Sequence, residues 1–141
     1  MLHQLAYVSS SRSPLDQATL SDILEVSQRS NAKDQITGVL MYHDKFFFQI
    51  LEGEQAAVED CYYRRILRDP RHSNMSLTWS DDVERRTFSD WLMGYAGPDE
   101  IGQFTRGKFH SLEHLKTDKD LNEPVKHVAL ELALLIFRDS R

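Results

Sequence analysis

The chain has one cysteine, no long apolar run and no excess of positive charge, and each deficit removes a class of protein. Its single thiol, Cys61, cannot close an internal disulfide and has no partner for a CxxC redox or zinc motif, so it is read as a small buried hydrophobe. The apolar runs, such as Phe46 to Leu51 and Ala129 to Phe137, are much shorter than the roughly 18 to 20 residues a bilayer span requires. The opening Met1 to Val8 is interrupted by His3 and Gln4 and is too short for a secretory signal. A cytoplasmic protein with no membrane partner is expected. Acidic residues outnumber basic ones, 22 against 17, for a net charge of −5. That is the wrong sign for a molecule that binds by neutralising phosphates, so no nucleic-acid partner is expected. A P-loop, a GxGxxG fingerprint, a GxSxG elbow and a cysteine beside a histidine base are all missing.

What is present suits one ordinary domain: 141 residues, 40% hydrophobic and 28% charged, enough to bury a core without staples. Leu2 to Val8 alternates as a strand, with His3, Leu5 and Tyr7 on one face and Gln4, Ala6 and Val8 on the other. Thr19 followed by Asp22 has the form of a capping box, and the spacing of Leu20, Ile23 and Leu24 predicts a helix from Thr19 to about Ser30. Ile36 to Tyr42 and Phe46 to Leu51 read as a hairpin punctuated by His43, Asp44 and Lys45. Val58, Cys61, Tyr62 and Ile66 form a helical stripe that ends before Pro70. Asn74 to Ser80 and Phe88 to Tyr95 complete the pattern as two strands.

The expected fold class is α+β: βαββαββ, a mixed five-stranded sheet with two helices on one face, since a strand–helix–strand succession makes a right-handed crossover. Beyond Gly97 and Pro98 a polar, Lys-rich segment leads to a helix opened by Asn122, Glu123 and Pro124. Residues 1–97 are therefore expected to form the main domain and 98–141 a helical extension packed on the free face of the sheet. In its last helix Val125, Val128, Leu132 and Leu135 make one stripe while Leu130, Leu134 and Phe137 spread apolar surface around the rest. Cover on more than one side is needed, from the sheet and from a second subunit, so a homo-oligomer is expected.

Three polar residues stand out. Alternation puts Gln49 on the same face as Phe47 and Leu51. A buried amide there demands partners, because an unsatisfied polar group costs about 1 to 3 kcal/mol; otherwise that face is partly exposed. Tyr7 has the same ambiguity, since any nearby carbonyl would satisfy its hydroxyl. Asn31 is equally explained as a C-cap.

Together these residues resemble the BLUF family, sensors of blue light using FAD, over roughly Leu2 to Tyr95. The tyrosine lies in Leu5-Ala6-Tyr7-Val8-Ser9, the asparagine precedes Ile36-Thr37-Gly38-Val39-Leu40, and the glutamine stands in Phe47-Phe48-Gln49-Ile50-Leu51-Glu52-Gly53. Asp69-Pro70-Arg71-His72 and Trp91-Leu92-Met93 continue the pattern. The resemblance implies a ferredoxin-like sheet and a non-covalently bound FAD, with FMN or riboflavin as alternatives, inserted between the helices. It implies flavin contacts from Tyr7, Ile23, Leu24, Asn31, Phe48, Gln49 and Ile66, with Arg65, Asp69, Arg71 and His72 toward the ribityl and phosphate end. Light is then implied to drive an electron and a proton from Tyr7 to the flavin and to rearrange the Gln49 hydrogen bonds. Output is expected to pass through Trp91, Met93 and the C-terminal helices to a separate effector protein, the length being expected to leave no room for an appended cyclase or phosphodiesterase domain. The chain departs from the family twice: the Val58–Ile66 helix is one residue longer than in most relatives, and Ser30 stands where many carry a second asparagine.

Two other readings compete. A thermal flavin redox enzyme would need an open substrate pocket and a hydride donor site. The other is a flavin-free ferredoxin-like interaction module, or a small metal enzyme that would have to use His110, Glu113 and His114, whose spacing is not HExxH.

Overall fold

β1 (Leu2–Ser11) is buried on both faces over most of its length, as befits a strand covered above and below. The fold is that of a computed structural model, which describes residues 2–43, 45–89, 92–97, 130, 133 and 134. β1 is followed by α1 (Gln17–Asp34), the hairpin β2 (Thr37–His43) and β3 (Phe46–Glu54), then α2 (Gln55–Asp60) running directly into a π-helical segment, Cys61–Ile66. β4 (His72–Asp82) and the short β5 (Gly94–Ala96) complete one five-stranded sheet of order β4-β1-β3-β2-β5. β1 pairs antiparallel with β3 and β4, and β2 antiparallel with β3 but parallel with β5, so the sheet is mixed.

Alternation sorts the core into two layers. Leu5, Tyr7, Leu40, Tyr42, Phe47 and Leu51 face the helices and pack with Leu20, Val58, Cys61 and Tyr62. Ala6, Val8, Val39, Met41, Phe48 and Ile50 face the other way and pack with Trp79, Phe88 and Ala133, with Leu130 and Leu134 against them. The rest of the C-terminal segment, including Val125, Val128, Leu132, Leu135 and Phe137, on which the oligomer expectation rests, lies outside the described residues, as do His110, Glu113 and His114. Gly38 in β2 is needed for close approach: a Cβ there would sit 1.9 Å from the Ile50 carbonyl oxygen of the neighbouring strand.

Several boundaries differ from expectation for identifiable reasons. α1 is capped by Asp16, whose carboxylate accepts from the Thr19 N–H at 2.8 Å, so Thr19 is inside the helix rather than its cap. The helix runs past Ser30 to Asp34 and is closed by Gln35 in the left-handed conformation (φ 56°); Asn31 therefore lies in its last turn and is not the C-cap. In the second helix the Leu67 N–H bonds the Tyr62 carbonyl at 2.9 Å, five residues back, which is how a helix takes in one extra residue locally. β4 is longer than expected. The strand expected from Phe88 to Tyr95 is described only as Gly94–Ala96, and backbone groups of Thr87, Phe88, Leu92 and Met93 are held by side chains. The Thr87 and Phe88 N–H groups donate to the buried Glu52 carboxylate at 2.8 and 2.7 Å, while the carbonyls of Leu92 and Met93 accept from Asn31 Nδ2 and Gln28 Nε2 at 2.8 and 3.1 Å.

Candidate functional site

Between α1 and the π-helical segment, above the helix-facing side of the sheet, lies a cavity of about 150 Å³. Its floor is β-sheet: Tyr7 and Gln49 are directly opposed in the β1–β3 register, and Leu40 is opposed to Gln49 from β2. Directly opposed side chains on one face lie close enough to bond. The Tyr7 hydroxyl donates to Gln49 Oε1, and Gln49 Nε2 donates to the Met93 sulfur at 3.2 Å. Tyr7, Gln49 and Met93 are only 3%, 5% and 2% exposed, so bulk water competes little for these bonds. Burial pushes the Tyr7 phenol well above its ordinary 10.0, with smaller contributions in the same direction from its neighbours Cys61, Tyr62 and Asp69; at neutral pH it is a proton donor.

The walls come from the helices. Ile23 of α1 and Ile66 of the π-helical segment offer apolar side chains to the space, and Asn31, buried, borders it while its Nδ2 holds Leu92. Cys61, Arg65 and Ile66 all line the cavity. Residues four and five apart share this wall because the π turn is wider than an α turn. Burial raises the Cys61 thiol pKa, so Cys61 is an un-ionised lining residue.

The mouth is charged and internally balanced. Arg65 meets Asp34 at 3.1 Å. Arg71 grips Asp69, with Nη2 to Oδ2 at 2.6 Å and Nε to Oδ1 at 2.9 Å. Burial alone would raise the Asp69 carboxyl, but the Arg71 hydrogen bonds outweigh it and hold the group below its ordinary 3.8. His72 Nε2 lies 2.6 Å from the Ile66 carbonyl, which only accepts, so that nitrogen is the donor. In the neutral ring Nδ1 then accepts from Ser9 Oγ at 2.9 Å. Arg64 is exposed, paired with Asp60 at 3.1 Å, and Arg68 is exposed; neither lines the cavity.

Most of the residues singled out in the sequence converge here: Tyr7, Ile23, Asn31, Gln49, Arg65, Ile66, Asp69, Arg71 and His72 all line the cavity. Phe48 does not. Alternation turns it to the opposite face, where it is fully buried against Trp79, and its neighbour Phe47 lines the cavity instead. Leu24 packs on the helix-side core without lining the space. Met93 reaches Gln49 from just before β5 rather than from within a strand, and Trp91 lies outside the described residues. Ser27 and Ser30 also line the cavity; helical spacing from Ile23 was a signal for both. Glu52, which collects Gln4, Thr87 and Phe88 on the far side of the sheet, had no sequence signal beyond being a carboxylate inside an apolar strand.

The lining suits a flat aromatic group with a polar edge: aliphatic side chains face each other from two helices, two buried amides stand at the floor and end, and no described residue donates to Asn31 Oδ1. Among the described residues no cluster of His, Cys, Asp and Glu could hold a metal, and no described helix is long and apolar enough to cross a membrane.

Comparison with known proteins agrees. A family model described as BLUF, sensors of blue-light using FAD, matches residues 2–94. The chain is 33% identical over 104 residues to the photoactivated adenylate cyclase subunit beta of Euglena gracilis, a match covering 73% of this chain and 12% of that one. It is also 33% identical over 88 residues to the blue light- and temperature-regulated antirepressor BluF of Escherichia coli (strain K12), covering 62% and 22%. It thus spans a small part of the length of these curated relatives. Among solved structures, BlrB, a BLUF protein in its dark state, superimposes with a TM-score of 0.79 at 28% identity over 97% of this chain and 96% of that one. BlsA in its ground state gives 0.75 at 29% identity over 96% and 88%.

Proposed function

This chain belongs to the BLUF family, sensors of blue-light using FAD, and we propose that it is a blue-light photoreceptor that reads the excitation of a bound flavin through Tyr7 and Gln49. The observation that carries this reading is the buried Tyr7–Gln49 hydrogen bond at the floor of the inter-helix cavity. Ile23 and Ile66 would hold the ring, Asn31 and Gln49 its polar edge, and Arg65, Asp69, Arg71 and His72 the tail of the cofactor, FAD or in its place FMN or riboflavin. A bound flavin would supply the blue absorption and, once excited, a strong one-electron oxidant.

The chain's own residues determine what happens next. Tyr7 is kept as a neutral phenol, so losing an electron can be coupled to passing its proton along the bond to Gln49 Oε1. Gln49 has an acceptor end on Tyr7 and a donor end on Met93. Reversing the amide would turn Nε2 toward the phenol oxygen, which can accept, and Oε1 toward a thioether, which cannot donate. The reversed amide must then find another donor or displace Met93, whose carbonyl is tied to Gln28 and whose neighbour Leu92 is tied to Asn31. Photochemistry at Gln49 is thereby linked to the chain entering β5. A coupling of about 1–3 kcal/mol is enough for such a signal. Output passes from there to a separate effector protein; the chain itself is not an enzyme, acts in the cytoplasm and assembles as a homo-oligomer.

An absorption spectrum of the purified protein before and after blue light tests this. A yellow sample with a reversible red shift supports it. A colourless protein, or a colour that bleaches only with a nicotinamide reductant, overturns it.

A further inference from the structure

Three tyrosine rings run from the cavity floor to the surface. Tyr7 is 3% exposed, Tyr62 4% and Tyr63 51%. The ring centroids of Tyr7 and Tyr62 are 5.3 Å apart at a 46° tilt, and those of Tyr62 and Tyr63 are 4.9 Å apart, edge to face at 77°. Burial accounts for Tyr62, which packs in the helix-side core. It does not account for an exposed aromatic placed against it. Among the described residues the rings in contact with Tyr7 are Tyr62 and His72, and of these only the phenol readily gives up an electron. Trp79 lies on the opposite face of the sheet. Neither Tyr62 nor Tyr63 lines the cavity.

We propose that Tyr62 and Tyr63 form a charge-transfer relay from Tyr7 to the surface, along which a single oxidising equivalent of the light-excited flavin reaches Tyr63, where a small enediol or phenol can refill it. The relay rests on the photoreceptor reading for its oxidant, the light-excited flavin. Electron transfer weakens steeply with distance, and rings in contact exchange electrons faster than rings separated by a layer of aliphatic side chains. The steps balance. Tyr7 gives an electron to the oxidant and its proton moves to Gln49 Oε1. Tyr62 refills Tyr7, which recovers that proton, and the Tyr62 hydroxyl proton goes to water. Tyr63 refills Tyr62 in the same way, and the external reductant refills Tyr63. The net change is one electron taken from the reductant and one delivered to the flavin.

The test uses the flavin-loaded protein under nitrogen, illuminated with blue light in the presence of hexaamminecobalt(III), which removes the electron and leaves the oxidised tyrosine unrefilled. Wild type is expected to form dityrosine cross-links between copies, mapped by mass spectrometry to Tyr63 and suppressed by ascorbate. Tyr62→Phe, which keeps Tyr63 exposed and the buried ring in place, is expected to lose the cross-link while retaining the reversible red shift, as is Tyr63→Phe. Undiminished cross-linking at Tyr63 in Tyr62→Phe would mean that Tyr63 is oxidised from solution, and the relay falls. A red shift in wild type with no cross-link also overturns the relay. A wild-type protein with neither flavin nor red shift overturns the photoreceptor reading and, with it, the relay's oxidant.

Discussion

Tyr7 and Gln49 face each other across β1 and β3, and the phenol of one donates to the amide oxygen of the other where both side chains are buried. Neither residue is demanded by the strand pattern. Removing the hydroxyl leaves Oε1 without its donor, so Tyr7→Phe is expected to cost about 1–3 kcal/mol, measured by urea unfolding, while still binding flavin and losing its photocycle. An unchanged unfolding midpoint would mean the bond contributes nothing.

Asn31 links the cavity to the segment before β5 through Leu92. Asn31→Ala removes both a polar edge for the cofactor and that tether. The affinity for FAD, read by fluorescence titration of the flavin-depleted protein, is expected to fall about ten-fold, equivalent to about 1.4 kcal/mol. Unaltered affinity would place the flavin edge elsewhere.

Glu52 is fully buried, with Phe88 N–H on Oε1 and Gln4 Nε2 and Thr87 N–H on Oε2. An amide offers one acceptor oxygen where the carboxylate offers two, so Glu52→Gln sets its own NH₂ against a donor. A loss of about 1.5–3 kcal/mol is expected from replacing charged hydrogen bonds, read as a lower Tm, with the flavin spectrum retained because the network lies on the other face of the sheet. Wild-type stability in this variant would show that the network is not what holds the segment.

Acid should weaken the cavity mouth. The Asp69 carboxyl is held below its ordinary 3.8 in the folded chain. Its contribution is therefore complete above 3.8 and is lost as the pH falls through its lower folded value. The stability gap between wild type and Asp69→Asn is expected to close over that window. It should also shrink with added salt, because the Asp69–Arg71 pair is partly exposed. A gap that persists at lower pH would contradict the assignment.

Much of this was legible in the sequence, because strand alternation fixes which face a side chain takes once the strand is recognised. It put Phe47, Gln49 and Leu51 on one face of their strand and Tyr7 with Leu5 on one face of its own, while the register that sets Tyr7 opposite Gln49 comes from the structure; applied to Phe48 it turns that residue away from the cavity, against the family-based expectation. The two-helix layer and the mixed sheet followed from element order. What was not legible arises from long-range polar contacts. Glu52 reaches residues far along the chain and, with Gln28 and Asn31, takes up backbone groups of Thr87, Phe88, Leu92 and Met93 that a strand would have used, despite their β-forming surroundings. The π turn was visible only as one residue too many; hydrogen bonding from Leu67 to Tyr62 shows where the extra residue went.

The central claim is that Gln49 passes the excitation on, and the light-minus-dark absorption spectrum of Gln49→Leu tests it most directly. The account predicts a yellow protein with flavin bound and no red-shifted band after blue light. A red shift of wild-type size and recovery in that variant would contradict it.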